Sequence, residues 1–187
     1  NKKNSTCGRW QTPRLFYFTL KNKTYIIMGV CGCGKTSVGG LLATNTEGVF
    51  IDADSFHPPK NVEKMSTGVP LNDQDRKKWL IAIGQAIKAH EGPWPLFFGC
   101  SALKRKYRNL IDFEADGQEI TYIHLDGDKE LIRERMKKRE GHFMKARMID
   151  SQFQDLEKLQ SDEKGITVNV EQGLDKVCEN ILDEINI

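Results

Sequence analysis

The chain is 187 residues long, 39% hydrophobic and 29% charged, with a formal net charge of +2. That mixture excludes collagen-like, disulfide-scaffold and wholly disordered chains, and the length suits one domain. No apolar run approaches the ~18 residues that a membrane-spanning helix needs.

Charge is unevenly spread. Residues 1–24 carry six basic residues (Lys2, Lys3, Arg9, Arg14, Lys21 and Lys23) and no acid, which leaves 22 basic against 26 acidic residues in the remainder. A body with net charge −4 is no polyanion-binding surface, so any anion site in it is local. The basic residues of the body are not interleaved with aromatics, which argues against nucleic acid as a partner. The tail has no secretory apolar core and is read as a disordered extension or remnant, a targeting segment being the weaker reading. The five cysteines (Cys7, Cys31, Cys33, Cys100 and Cys178) are odd in number and irregularly spaced. They point to a reducing compartment, the cytoplasm, rather than a disulfide framework.

From residue 25 strands and helices alternate, the pattern of a parallel sheet wrapped by helices, an α/β fold. The first predicted strand, Tyr25–Met28, runs into Gly29-Val30-Cys31-Gly32-Cys33-Gly34-Lys35-Thr36, which matches G-x-x-x-x-G-K-[ST] between a strand and a helix. Glycines let such a loop curl its N–H groups toward phosphate, and the helix N-terminus adds positive potential. Lys35 supplies a charge for the β- and γ-phosphates and Thr36 a hydroxyl for Mg²⁺. Gly29 to Thr36, with Ser37 behind them, is therefore the expected ATP site. Gly39-Gly40 is expected to interrupt the helix, each glycine costing ~1 kcal/mol against alanine.

The second strand, Val49–Ile51, is followed by Asp52-Ala53-Asp54. Strand C-terminal ends in a parallel sheet face the ligand crevice. Two carboxylates there can divide labour, one on the hydration shell of Mg²⁺ and one accepting a proton from an attacking hydroxyl. A helix over Asp73–His90, with Asn72 as its cap, has Trp79, Leu80, Ile83 and Ile87 on one stripe. The third strand is Leu96–Phe98; no Walker-B aspartate ends it, and the guanine-reading N-K-x-D is absent. A fourth strand (Ile120–Leu125), helices over Asp128–Arg139 and Ala146–Leu159, a fifth strand (Ile166–Val170) and a helix over Gln172–Ile185 complete the chain. Short apolar strands suit a sheet buried on both faces.

Four further segments carry a resemblance. They are Asp52-Ala53-Asp54-Ser55-Phe56-His57-Pro58; Lys64-Met65-x-x-Gly68-x-Pro70-Leu71-Asn72-Asp73-Gln74-Asp75-Arg76-x-x-Trp79-Leu80; Cys100-Ser101-Ala102-Leu103-Lys104-x-x-Tyr107-Arg108; and Arg139-Glu140-Gly141-His142-Phe143-Met144 with Ser151-Gln152-Phe153. With the phosphate loop, their order and spacing resemble the gluconokinase family of small P-loop carbohydrate kinases, from about Tyr25 to the C-terminus. The resemblance implies a P-loop NTPase fold of the nucleoside monophosphate kinase type: a five-stranded parallel sheet, order 2-3-1-4-5, in one domain over 25–187 with a short mobile lid around 137–147. It implies phosphorylation of D-gluconate by ATP with Mg²⁺, and it allows a homodimer. The chain departs from the family in its loop cysteines, and its first helix and the loop before Val49 look short.

A sugar acid needs a cation for its carboxylate and polar groups for its hydroxyls. His57, Lys60, Arg76, Lys104, Arg108, His142 and Gln152 are the candidates, beside Asp54. Arg76 sits near a helix start, where a cation is disfavoured without another purpose. Gln152 shares a helix face with Met148 and Leu156. The basic segment before His142 reads as the lid, with Arg139 reaching the transferring phosphoryl group. The expected division of roles is Asp54 as base, Thr36 and Asp52 at Mg²⁺, and Lys35, Arg139 and the loop amides on the phosphates. A kinase for another sugar acid or a shikimate-like acceptor, and a nucleotide-gated binding protein without turnover, are the alternatives.

Overall fold

Side chains alternate across a strand, so a sheet covered on both faces needs apolar residues at every position. The first strand, β1 (Thr24–Met28), meets that demand in a computed structural model that describes residues 23–138 and 143–186. Tyr25 and Ile27 enter one core cluster, and Ile26 and Met28 the other. All five residues of β1 are buried.

The remaining strands are β2 (Val49–Asp52), β3 (Leu96–Gly99), β4 (Ile120–Asp126) and β5 (Gly165–Asn169). They form one parallel sheet in the order β2-β3-β1-β4-β5. β1 is central, pairing Ile26 with Phe98 of β3 and with Tyr122 of β4. The helices are α1 (Lys35–Asn45), α2 (Pro59–Ser66), α3 (Asp73–Lys88), α4 (Arg105–Ala115), α5 (Lys129–Lys137), α6 (Phe143–Asp155) and α7 (Leu174–Glu184). On one face, Val38 and Leu42 of α1, Ile132 of α5 and Val177 and Ile181 of α7 pack on Tyr25, Ile27, Phe97 and Ile123. On the other, Trp79, Leu80, Ile83 and Ile87 of α3 join Ile111 of α4 over Ile26, Phe98 and Tyr122. Each such side chain contributes about 1.5–3 kcal/mol by leaving water.

The predicted strands agree with the observed ones to within a residue or so at each end. Helix α3 starts where its cap was expected: Asn72 accepts from the Asp75 amide, and the Asp75 carboxylate accepts from the Asn72 amide in return. Three differences have physical causes. Helix α1 runs through Gly39-Gly40 without interruption, because packing on the sheet outweighs glycine's low propensity. Helices α2 and α4 are not among the predicted helices: both are short, α2 burying only Asn61 and α4 a single row of Tyr107, Ile111 and Ala115 one turn apart. Helix α6 ends at Asp155, four residues before the expected Leu159, where the chain turns to hydrogen-bond the loop after β3 through the Glu157 amide and the Leu103 carbonyl. Residues 139–142, within the expected lid around 137–147, and residues 1–22 lie outside the described residues, so Arg139 and His142 do too.

Candidate active site

The C-terminal ends of β1, β2 and β3 converge on the phosphate loop. The loop opens at Gly29, whose amide donates to the Ser101 carbonyl beyond β3 (3.3 Å). Gly32 and Gly34 adopt φ of +84° and +108°, a left-handed region that penalises any residue with a Cβ. A Cβ at Gly32 would also meet the Met136 side chain at 2.7 Å. Gly34 caps α1 with no side chain of its own in the way. Lys35 folds back along the loop and donates to the carbonyls of Gly29 and Val30, each at 3.0 Å. Thr36 and Ser37 are exposed on the first turn of α1.

Asp52 ends β2 beside that turn. The Thr36 hydroxyl donates to the Asp52 carboxylate at 3.3 Å, and the other Asp52 oxygen accepts from the Asp54 amide at 3.0 Å. Asp54 lies in a 3-10 turn (Ala53–Phe56), its side chain open to the crevice. Partial desolvation and then the neighbouring Asp52 charge hold its carboxyl above the usual range, while Lys35 opposes both. The two carboxylates are thereby unequal: Asp52 is engaged with Thr36 and the turn, and Asp54 is available.

The same turn is locked from below. Trp79 donates its indole N–H to the Ala53 carbonyl at 2.7 Å, and His57 stacks on Trp79 with ring centroids 4.3 Å apart. His57 Nε2 lies 3.9 Å from Asp54 Oδ1, and its Nδ1 has no hydrogen-bond partner among the described residues. Burial and the Arg76 charge push the imidazole down to about 4, so it is neutral near pH 7.

Arg76 and Lys104 gather around the Tyr107 ring. The Arg76 guanidinium donates to the Tyr107 hydroxyl at 3.1 Å and lies 5.6 Å from that ring's centroid. Lys104 stands 3.0 Å from Asp155 and 3.4 Å from Asp73. The hydrogen bond that Lys104 donates to Asp155 is the main influence holding its pKa above the ordinary lysine value. Asp73 also accepts from Tyr107 and Lys106. Lys60 is exposed on the first turn of α2. Gln152 reaches across from α6, its side-chain oxygen accepting from the Cys31 amide of the phosphate loop at 2.6 Å.

Arg108 departs from the expectation. Its side chain is 0% exposed and points into the body. Its nitrogens donate to both Glu163 oxygens (2.5 and 2.9 Å) and to the carbonyls of Ala102, Leu103 and Glu157. Buried in these contacts, the guanidinium is out of reach of a substrate carboxylate. Arg108 instead pins the loop that carries Lys104 to the segment leaving α6.

On the far side of the loop a cavity of about 310 Å³ is lined by Gly32, Cys33, Ser37, Arg135, Val170 and Val177, among others. It adjoins the phosphate loop and has the place and size for a nucleoside. Arg135 crosses its wall to the Val170 carbonyl at 2.6 Å. Sequence reasoning missed Arg135, which looked like one charge among many on α5, and Asp155, whose only sequence signal was its spacing of three from Gln152. No cluster of three or more His, Cys, Asp or Glu residues able to hold a metal occurs among the described residues.

Known proteins are similar to this chain in sequence and in fold. A family model described as shikimate kinase matches residues 31–186. The thermoresistant gluconokinase of Escherichia coli K12 is 38% identical over 163 residues, covering 86% of this chain and 92% of that protein. The gluconokinase of Gluconobacter oxydans is 41% identical over 167 residues, covering 87% and 91%. The chain belongs to the gluconokinase family. The crystal structure of a gluconokinase from Sinorhizobium meliloti superposes with a TM-score of 0.80 at 36% identity, covering 88% of this chain and 92% of that one. The shikimate kinase of Aquifex aeolicus, at 15% identity and a TM-score of 0.51, shares the fold alone. The family is one of kinases, and no helix among the described residues is long and apolar enough to cross a membrane.

Proposed function

We propose that this chain transfers the γ-phosphoryl group of ATP to the 6-hydroxyl of D-gluconate, giving 6-phospho-D-gluconate and ADP. One observation carries the reading: an available carboxylate, Asp54, stands between the phosphate loop and a set of acceptor-side polar groups. His57 is beside it, and Arg76 and Lys104 lie further along the crevice. The gluconokinase relatives support the choice of acid.

Asp54 accepts the proton of the attacking hydroxyl, helped by its raised pKa, which makes it a better base than an ordinary aspartate. His57, neutral near pH 7, has ring nitrogens for a substrate hydroxyl. Arg76 and Lys104 take the carboxylate, Arg76 through its planar fork. Lys35 and the loop amides hold the phosphates. Arg139 and His142 remain candidates for the phosphoryl group and the acceptor. Gln152 holds the loop at Cys31, and Lys60 stands at the rim.

The Thr36 hydroxyl and Asp52 carboxylate, 3.3 Å apart, are hard oxygen donors of the kind Mg²⁺ prefers. When bound there it supplies positive charge to the phosphate oxygens. Cys33, Cys100 and Cys178 are buried and in no disulfide, which fits a cytoplasmic site of action.

The test is ADP release with Mg-ATP under reducing conditions, comparing D-gluconate with shikimate, other sugar acids and AMP. Selective turnover of D-gluconate is expected. Silence on gluconate with turnover of another acceptor would overturn the substrate and leave the mechanism.

A further inference from the structure

The acceptor-side cations are not bare. Arg76, Lys104 and Lys106 face two carboxylates, Asp73 and Asp155, around the Tyr107 ring. The two anions are held very differently. Asp73 is the first residue of α3, where the helix N-terminus favours negative charge. It also has three side-chain partners, Lys104, Lys106 and Tyr107. Asp155 is the last residue of α6, where the helix C-terminus disfavours negative charge. Its carboxylate is stabilised by Lys104 at 3.0 Å and Arg76 at 3.8 Å.

Asp155 is therefore the carboxylate that can leave at least cost, and it bridges the two cations that suit an incoming carboxylate. The helix that presents it is independently fixed. Gln152, one turn earlier, is bound to the Cys31 amide, and Asp150 pairs with Arg133 and Lys129 of α5. Asp155 is thus delivered to the cations by a helix anchored elsewhere.

We propose that Asp155 is an internal stand-in for the acceptor's carboxylate, displaced from Lys104 and Arg76 when the acid binds, so that its charge sets the acceptor's apparent affinity. The acid then gains only the difference between its own pairing and that of Asp155. Asp155 is a specificity-determining residue in this account: it competes with an anionic acceptor for Lys104 and Arg76, whereas a neutral ligand leaves its pairing in place. The inference rests on the sugar-acid reading above.

The experiment compares the full chain with its Asp155→Asn and Asp155→Glu variants in steady-state kinetics. D-gluconate is the acceptor, and D-gluconamide, the neutral analogue, is a competitive inhibitor. For Asp155→Asn the KM for D-gluconate falls about two- to fivefold, the size of one partly exposed ion pair. The change is carried by KM rather than kcat, and the inhibition constant for D-gluconamide does not follow it. Asp155→Glu restores a KM near that of the parent. Asp155→Ser, which also removes the charge, gives the same direction if the Asn variant folds poorly. An unchanged or raised KM in the uncharged variants, or equal tightening of D-gluconamide, would overturn the inference alone. Absence of D-gluconate turnover by the parent would overturn the substrate reading and this inference with it.

Discussion

Gly39 and Gly40 are neighbours in α1, yet a methyl group added to each meets opposite surroundings. At Gly39 a Cβ would stand 2.2 Å from Cε2 and 2.3 Å from Cδ2 of Phe50, and 3.0 Å from Cδ1 of Ile27. The Phe50 ring cannot retreat toward the sheet, because it already closes on Gly99, where a Cβ would meet its Cζ at 3.0 Å. At Gly40 nothing lies within 4 Å. Alanine at either position gains about 0.5–1 kcal/mol from the stiffer unfolded chain and better helix propensity. Overpacking at Gly39 costs about 1–3 kcal/mol. Gly40→Ala should therefore stabilise the protein by about 0.5–1 kcal/mol, and Gly39→Ala should destabilise it by up to about 2.5 kcal/mol. The shared propensity gain cancels between the two variants, so their difference isolates the clash. Urea unfolding at pH 7 measures it, and a chain of this size moves its melting temperature by about 2–4 °C per kcal/mol. Because α1 carries Lys35 and Thr36, Gly39→Ala should also raise the KM for ATP while Gly40→Ala leaves it in place. Equal stability of the two variants, or a more stable Gly39→Ala, would refute the packing account of the glycine pair.

Further expectations concern the site and its supports. Asp54→Asn should lower kcat about a hundred- to ten-thousand-fold while nucleotide binding, measured by calorimetry, persists; a near-normal kcat would remove Asp54 as the base. Arg108→Met strands the buried Glu163 carboxylate and should cost about 3–5 kcal/mol in urea unfolding. The double variant with Glu163→Gln should recover part of that loss, and additive losses would refute the pairing. His57 titrates near 6.5 when unfolded and at about 4 when folded, so between those values the unfolded chain binds the extra proton. Stability should be full above pH 6.5 and fall by up to about 3 kcal/mol as pH drops toward 4. Buried His124, also shifted down, adds in the same direction. Urea midpoints at pH 7 and pH 5 test this. His57→Gln should flatten the difference, since the carboxylates lowered by their cation partners, such as Asp73 and Glu163, lose their contribution only at lower pH.

Local chemistry made much of this protein legible without a structure. The phosphate loop is contiguous, and its binding groups are mostly backbone, so glycine spacing between a strand and a helix suffices to identify it. The strands are short apolar runs bounded by turn residues, and Asn72 announces the start of α3. Asp52 and Asp54 needed only the rule that strand ends face the ligand in a parallel sheet. What the sequence could not decide is which charges face one another. Lys104 and Arg108 stand four apart on adjoining turns and read alike. Tertiary packing turns Lys104 toward the crevice and buries Arg108 against Glu163, 55 residues away in the chain. The same holds for Gly39 and Gly40, where only the Phe50 ring distinguishes one glycine from the next. It holds for Asp155 and Gln152, whose partners Lys104 and Cys31 come from other elements. Backbone signals travel along the chain and survive in the sequence. Long-range side-chain pairing is set by how helices pack on the sheet, and only the folded structure brings those residues together.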